Sequence, residues 1–189
     1  MLLRNKANNV FKAISLVSSY LLVIIGIIVM IGWFIKNQTI TQIQAFASPT
    51  HFNTALSLFL MGLAIILILI NKKKLSIIPS LLVFVIATST VIEYIFNLNF
   101  GIDELFIEDY IFIKTSSPGR MGMNTAICLA LGSFGLLATS LKLFRKHFNY
   151  VLFPISGAIA FIGIISLVGY FIGFESAYGW SHWTRMSIS

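Results

Sequence analysis

The sequence has little charge. Only 10% of its 189 residues are charged and 58% are hydrophobic, whereas soluble domains carry about 25% charged residues. A chain with so few charges lacks the polar surface that would keep it in water, so the composition predicts a protein whose main partner is a lipid bilayer. The net charge of +7 does not indicate nucleic acid as a partner, because the basic residues form short clusters between apolar runs, as loops at a membrane surface do.

Cysteine and histidine are also scarce. Cys128 is the only cysteine, which excludes an internal disulfide, and it is interpreted as a packing residue within an apolar run. Two of the three histidines, His51 and His182, could form a metal site with Glu175. Their spacing matches no standard ligand pattern, so we expect no metal and no cofactor.

Recognisable catalytic motifs are missing as well. The sequence contains no glycine-rich phosphate loop, no His-Glu-x-x-His and no Gly-x-Ser-x-Gly. Its apolar runs lack the line of charged residues that would suit ion or proton transport. We therefore expect a sensing or anchoring module without catalysis, and a small stand-alone transporter or channel subunit is the alternative.

Long apolar runs dominate the sequence instead. Five of them can cross a bilayer, since a helix needs about 20 apolar residues to do so. They predict an all-α, polytopic membrane protein in which residues 1–189 form one membrane region without a soluble domain. The expected helices lie at about 13–35, 52–70, 75–96, 121–141 and 151–172. The first is expected to stay uncleaved, because it is too long for a signal peptide and the signal-like Ala45-Phe46-Ala47 lies well beyond its end.

The charged residues are segregated between alternate loops. The basic clusters precede the first run and separate the second from the third and the fourth from the fifth: Arg4, Lys6, Lys12, Lys72, Lys73, Lys74, Lys142, Arg145 and Lys146. The six acids lie in the other loops or at nearby helix ends: Glu93, Asp103, Glu104, Glu108, Asp109 and Glu175. Because basic loops stay in the cytoplasm, this pattern predicts a cytoplasmic N-terminus and an acidic outer face. The residues interpreted as an interfacial belt at the outer boundary are Trp33, Tyr178, Trp180 and Trp183.

A tripeptide opens two of the apolar runs, as Asn53-Thr54-Ala55 and again as Asn124-Thr125-Ala126. We expect Asn53 and Asn124 to be helix N-caps, because an Asn side chain accepts hydrogen bonds from the unpaired N–H groups of a first turn. The alternative is a binding role. In that case the two amides, with Thr54 and Thr125, would hold a polar or anionic ligand at the helix starts.

Other polar landmarks recur in the same order. The third and fifth runs each carry an early proline and a late tyrosine, and an Arg-Met pair follows each run: Pro79, Tyr94 and Arg120-Met121, then Pro154, Tyr170 and Arg185-Met186. Membrane proteins are often built from internal repeats. The order therefore predicts tandem membrane hairpins, of which the first two runs form a more diverged copy.

Glu93 is the acid that lies deepest in an apolar run. An ionisable residue there is a candidate functional group, although its side chain could reach the interface instead. Arg120 could pair with an acid of the long outer loop, namely Asp103, Glu104, Glu108 or Asp109. Glu93, Asp103, Glu104 and Arg120 are therefore candidate ligand-binding residues, and solvated loop charges are the alternative for those in the loop.

The segments just described form a longer pattern. It consists of Glu93-Tyr94-Ile95-Phe96, Gly101-Ile102-Asp103-Glu104-Leu105-Phe106 and Thr115-Ser116-Ser117-Pro118-Gly119-Arg120-Met121-Gly122-Met123-Asn124-Thr125-Ala126. This pattern resembles the N-terminal multi-span region of bacterial membrane sensor histidine kinases and diguanylate cyclases. Residues 169–179 look like the matching part of a further hairpin. The resemblance covers most of the chain after about Thr50, and its specific core lies between Gly101 and Ala126.

The resemblance implies a signal-input module in the bacterial inner membrane. In that family the membrane region is usually followed by PAS or GAF domains and then by a kinase or cyclase domain, and such parents form homodimers. No output signature occurs in this sequence, and Ser189 falls where Arg185-Met186 should open another helix. We therefore expect truncation before the output domains, with an N-terminal fragment or a stand-alone partner of a separate kinase as alternatives. The stimulus is unknown, and the family supplies no ligand-binding residues.

Overall fold

The computed structural model describes residues 2–42, 49–111, 117–143 and 148–174. These residues contain no β-strand and form six α-helices: α1 Leu2–Phe34, α2 Gln38–Thr41, α3 Phe52–Leu69, α4 Lys73–Phe96, α5 Met123–Leu141 and α6 Phe148–Ile172. All except the short α2 are long and apolar enough to cross a membrane. The prediction of an all-α polytopic protein with five spanning helices is confirmed.

The helix boundaries follow from local chemistry. Helix α1 begins at Leu2 rather than near residue 13, because residues 2–12 contain neither glycine nor proline to interrupt a helix. Its membrane-spanning portion is Asn9–Phe34. Asn71 and Asn97 follow α3 and α4 with left-handed φ angles of 64° and 52°, a conformation that asparagine adopts more readily than most residues.

Helices α1 and α3 form an antiparallel hairpin with very close backbone contact. A Cβ atom added to Gly26 of α1 would lie 2.7 Å from the carbonyl oxygen of Ala55 in α3. A Cβ atom added to Gly62 of α3 would lie 2.6 Å from the carbonyl oxygen of Ser19 in α1. Small residues at helix crossings allow this approach, which takes the place of the hydrophobic driving force that is lost in lipid.

Helices α4 and α5 form the second antiparallel hairpin. The hydroxyls of Ser76 and Ser140 share a buried hydrogen bond of 2.6 Å at one end. At the other end the Tyr94 hydroxyl donates to the carbonyl oxygen of Met121 at 2.9 Å. Between them a buried apolar cluster includes Val83 and Ala87 of α4 with Ala126 and Leu129 of α5.

The two hairpins pack through α3, which contacts α4 extensively and α5 less, while α6 contacts α5 alone among the described helices. Prolines occupy the same place in α4 and α6, since Pro79 and Pro154 are each the seventh residue of their helix. This agreement fits the predicted repeat. The Arg185-Met186 pair, which is expected to open the returning helix of a third hairpin, lies outside the described residues.

The bundle has two chemically different ends. The end formed by the start of α1, the α3–α4 loop and the end of α5 carries the lysines 12, 72–74 and 142, and is called the basic end. The opposite end contains α2, the start of α3, the end of α4 and residues 97–111 and 117–122. It holds every acid of the described residues and is called the acidic end.

Candidate functional site

The two repeated asparagines occupy equivalent places at the acidic end. Asn53 and Asn124 are each the second residue of a helix, α3 and α5. The N-cap positions belong to His51 and Gly122, whose extended backbones precede the helices, and neither makes a side-chain cap bond. The prediction that the asparagines are N-caps is therefore wrong. Each helix begins one residue before the asparagine of its motif, so both asparagines lie within the first helical turn and not at the N-cap.

Asn53 has another structural role. Its side-chain amide donates to the carbonyl oxygen of Ile102 at 2.8 Å and so ties the start of α3 to the loop between α4 and α5. Asn124 is 3% exposed, and its amide nitrogen has no hydrogen-bond partner. Thr54 and Thr125 are buried beside them. The structure thus places these four candidates within the protein rather than on an open surface.

Arg120 is the centre of a buried charged network. It is only 4% exposed, and its Nε donates to Asp103 Oδ2 at 2.7 Å. Its Nη2 donates to the carbonyl oxygen of Leu98 at 3.1 Å and lies 3.5 Å from Glu93 Oε2. The longer contact is an ion pair without a hydrogen bond, because Glu93 Oε2 has no hydrogen-bond partner. Arg120 lies three residues before the first residue of α5, and its guanidinium therefore connects the start of α5 to the end of α4 and to the loop between them.

Glu93 is fully buried, so the alternative that its side chain reaches the interface is wrong. Its Oε1 accepts from the backbone N–H of Phe100 at 2.6 Å. Its own carbonyl oxygen accepts from the backbone N–H of Leu98 at 3.0 Å, and also from the N–H of Asn97. The same residue therefore ends α4 and holds the first part of the loop.

Tyr94 lies directly beside this network. The Arg120 guanidinium carbon is 5.4 Å from the centre of the Tyr94 ring, within the range of a cation–π contact. We define the Arg120 cluster as Glu93, Tyr94, Asp103 and Arg120. The sequence indicated Tyr94 only as a landmark of the repeat. Its position next to Glu93 was the signal that could have suggested a role in the cluster.

The turn before Arg120 depends on a glycine. Gly119 has a φ of 68°, and a Cβ atom there would lie 2.7 Å from the carbonyl oxygen of Asp103. Only glycine fits both conditions, since other residues rarely adopt a positive φ. Gly119 therefore lets the chain pass close enough to Asp103 for Arg120 to reach it.

The electrostatics of the Arg120 cluster raise the pKa of Asp103 towards neutral pH. Burial raises the pKa of Asp103 to about 6, against the opposing hydrogen bond and charge of Arg120, while Glu93 and Glu104 raise it further. One cation thus faces two buried carboxyl groups. The cluster can therefore take up a proton on Asp103 in mildly acidic conditions.

Glu104 plays a different part from the other candidates. Its side chain is on the exposed side of the loop, and Oε1 accepts from the backbone N–H of Asp109 at 2.8 Å. Arg120 pairs with neither Glu104 nor Asp109 in the described residues. Glu104 therefore shapes the loop rather than joining the Arg120 cluster.

A second cluster lies at the acidic end and was not predicted. We define the histidine cluster as Trp33, His51, Asp109 and Tyr110. The Trp33 ring stacks on His51 at 6.3 Å between centres and meets Tyr110 edge-on at 4.9 Å. Trp33 is 2% exposed and its Nε1 donates to the carbonyl oxygen of Thr50 at 2.7 Å. Its interpretation as an interfacial belt residue is therefore wrong, and the other belt residues lie outside the described part.

Asp109 organises the loop around that histidine. Its two carboxylate oxygens accept from the backbone N–H groups of Ile111 at 2.9 Å and Gly119 at 2.8 Å. His51 Nδ1 lies 3.9 Å from Asp109 Oδ2. Burial lowers the pKa of His51 to about 4, although the Asp109 charge opposes this shift. The histidine is therefore neutral at neutral pH.

The described residues contain no group of three potential metal ligands. The predicted alternative of a metal site with His182 and Glu175 lies outside the described residues. The acidic end offers instead a loop held by buried charges to the ends of three helices.

The sequence matches no family model, and no curated protein or solved structure matches the chain.

Proposed function

We propose that the chain is the membrane signal-input module of a bacterial two-component or cyclic-di-GMP signalling protein, with no catalysis of its own. The observation that carries the proposal is the buried Arg120 cluster. In this account the acidic end faces the outside of the inner membrane and the N-terminus faces the cytoplasm, as the segregation of charges favours. The parent protein would act as a homodimer.

The Arg120 cluster suits a receptor because it can bias two helix packings. Removing one partner from a buried ion pair is strongly destabilising, since the remaining charge stays buried without compensation. A stimulus that displaces a member of the cluster would therefore favour another packing of α4 against α5. Both helices extend to the basic end, so a change in their packing would also move the helix ends on the side where an output domain would attach.

A direct test joins the chain to an output domain through an added sixth helix of matched length. We expect Glu93→Gln and Arg120→Ala to change the basal autophosphorylation of a fused histidine kinase domain in liposomes. Glu108→Gln is the matched control, because Glu108 is exposed and belongs to neither cluster. Equal basal activity in all three variants, each inserted and folded like the wild type, would refute the proposal.

The unfused chain provides a second check. We expect no autophosphorylation and no nucleotide cyclisation from the purified protein. Either activity in the unfused chain would show that catalysis resides within it.

A transporter is the second candidate, because Glu93 is a carboxyl group buried within the bundle. Three of the other buried hydroxyls of the helices favour it less, since those of Ser80, Thr90 and Ser133 donate to carbonyls of their own helices. Groups satisfied in this way do not form a polar path. Saturable solute flux in liposomes that Glu93→Gln abolishes would establish the transporter and overturn the receptor.

A further inference from the structure

A cavity opens at the basic end between the start of α4 and the end of α5. Its volume is about 550 Å³, and its walls include Asn71, Lys72, Lys73, Lys74, Ser140 and Lys142. The Ser140 hydroxyl is hydrogen-bonded to that of Ser76, which fixes the end of α5 to the first turn of α4. The walls of the cavity therefore belong to two helices that are held together by a buried contact.

The charge of this cavity is not balanced by the protein. Four lysines line it, whereas the described acids all lie at the opposite end of the bundle. No carboxylate among the described residues can pair with these lysines, and Lys73 is half-buried among them. An anion from outside the chain would remove the repulsion between the four charges.

The start of α4 adds to the same preference. Lys72 is the N-cap of this 24-residue helix and makes no side-chain cap bond. The first N–H groups of a helix and its dipole favour an anion at that position. The lysines and the helix start thus lie at one wall of the same cavity.

We propose that this basic cavity binds a phosphate group, supplied either by the headgroup of an anionic lipid or by a soluble phosphate compound. Phosphate oxygens accept charge-assisted hydrogen bonds from ammonium groups and backbone N–H groups alike. The cavity lies at the ends of two helices long and apolar enough to span a membrane, where lipid headgroups are expected to lie. Basic pockets between transmembrane helices at such an interface are suited to phosphate headgroups. The proposal is independent of the receptor or transporter function.

The test compares two pairs of substitutions that remove the same charge. Lys73→Gln with Lys142→Gln removes two lysines from the cavity, whereas Lys12→Gln with Lys36→Gln removes two that do not line it. The full chain is placed in nanodiscs of phosphatidylcholine with and without phosphatidic acid, and retained lipid is counted by native mass spectrometry. We expect the cavity variant to lose retained phosphatidic acid roughly tenfold and the control to keep it.

Two further experiments distinguish a lipid from a soluble source of the phosphate and test whether lost binding reflects misfolding. Binding of inorganic phosphate to lipid-free protein in detergent, followed by ³¹P line broadening, would assign a soluble source if the lipid arm shows no preference. Lys73→Arg with Lys142→Arg keeps both charges and should keep the binding. Equal loss in the cavity and control variants, or no binding in either arm, would overturn the proposal.

Discussion

Arg120 is the residue on which the acidic end depends most. Its substitution by alanine leaves the carboxyl groups of Glu93 and Asp103 buried without their cation, which costs about 3–5 kcal/mol in comparable cases. We expect Arg120→Ala to lower the free energy of unfolding by such an amount, measured by SDS titration in detergent micelles. Lys12→Ala is the control, because Lys12 is exposed at the other end. Similar unfolding of the two variants would show that the network contributes little.

Asp103 should give the protein an unusual dependence on pH. Its pKa is raised from 3.8 to about 6 in the folded chain, so between these values the folded state binds more protons than the unfolded state. This group therefore stabilises the fold most below about pH 4, and its contribution is lost as the pH rises through about 6. We expect stability that rises on acidification across this window in His51→Gln, where the opposing group is absent.

His51 acts in the opposite direction over much of the same range. Its pKa is lowered from 6.5 to about 4, so the unfolded state binds more protons as the pH falls between these values. Its contribution is fully present above pH 6.5 and is lost as the pH falls towards 4. We expect Asp103→Asn to become steadily less stable on acidification, and the wild type to lie between the two variants. Parallel pH profiles of the two variants would contradict both assignments.

The first hairpin depends on the contact between the backbones of α1 and α3. Gly62→Ala would place a methyl group against the carbonyl oxygen of Ser19, and neither backbone can yield without separating the helices. We expect a loss of about 1–3 kcal/mol, as for other overpacked sites. Gly163→Ala in α6 is the matched control, because its added Cβ meets nothing within 4 Å. Equal thermal unfolding of the two variants would argue against this close packing.

The helices were predictable because each apolar run is long enough to cross a bilayer. The largest difference between a predicted and an observed boundary is at α1, where polar residues extend the helix back to Leu2. The N-cap residues of α3 and α5 could not be predicted from the sequence. A shift of two residues placed His51 and Gly122 at the N-caps in place of the asparagines. Such a shift depends on the backbone before the helix, which composition does not reveal.

The candidate site was predictable in its members but not in its geometry. Glu93, Asp103 and Arg120 were identified from charge and position, yet their meeting requires the path of the loop and the tight turn at Gly119. The histidine cluster was not predicted, because Trp33 and Asp109 are 76 positions apart in the sequence. Contacts of this kind arise only when the hairpins are packed.

The whole molecule should have the orientation that its charges favour. In a background where Cys128 is replaced by serine, we expect a cysteine at the exposed Glu108 to react with an impermeant thiol reagent in intact cells. A cysteine at the exposed Lys74 should be protected until the membrane is permeabilised. The reverse pattern would place the acidic end in the cytoplasm and remove the basis for an outer sensor.

The central claim is that the Arg120 cluster controls the packing of α4 against α5 along the length of the bundle. It can be measured with spin labels at Ile78 and Leu141, which are exposed near the basic ends of these helices, in nanodiscs. We expect a single narrow distance distribution in the wild type and in Glu108→Gln, and a shifted or second population in Arg120→Ala. An unchanged distribution in a folded Arg120→Ala protein would contradict the claim, because the charges at one end would then have no influence on the other.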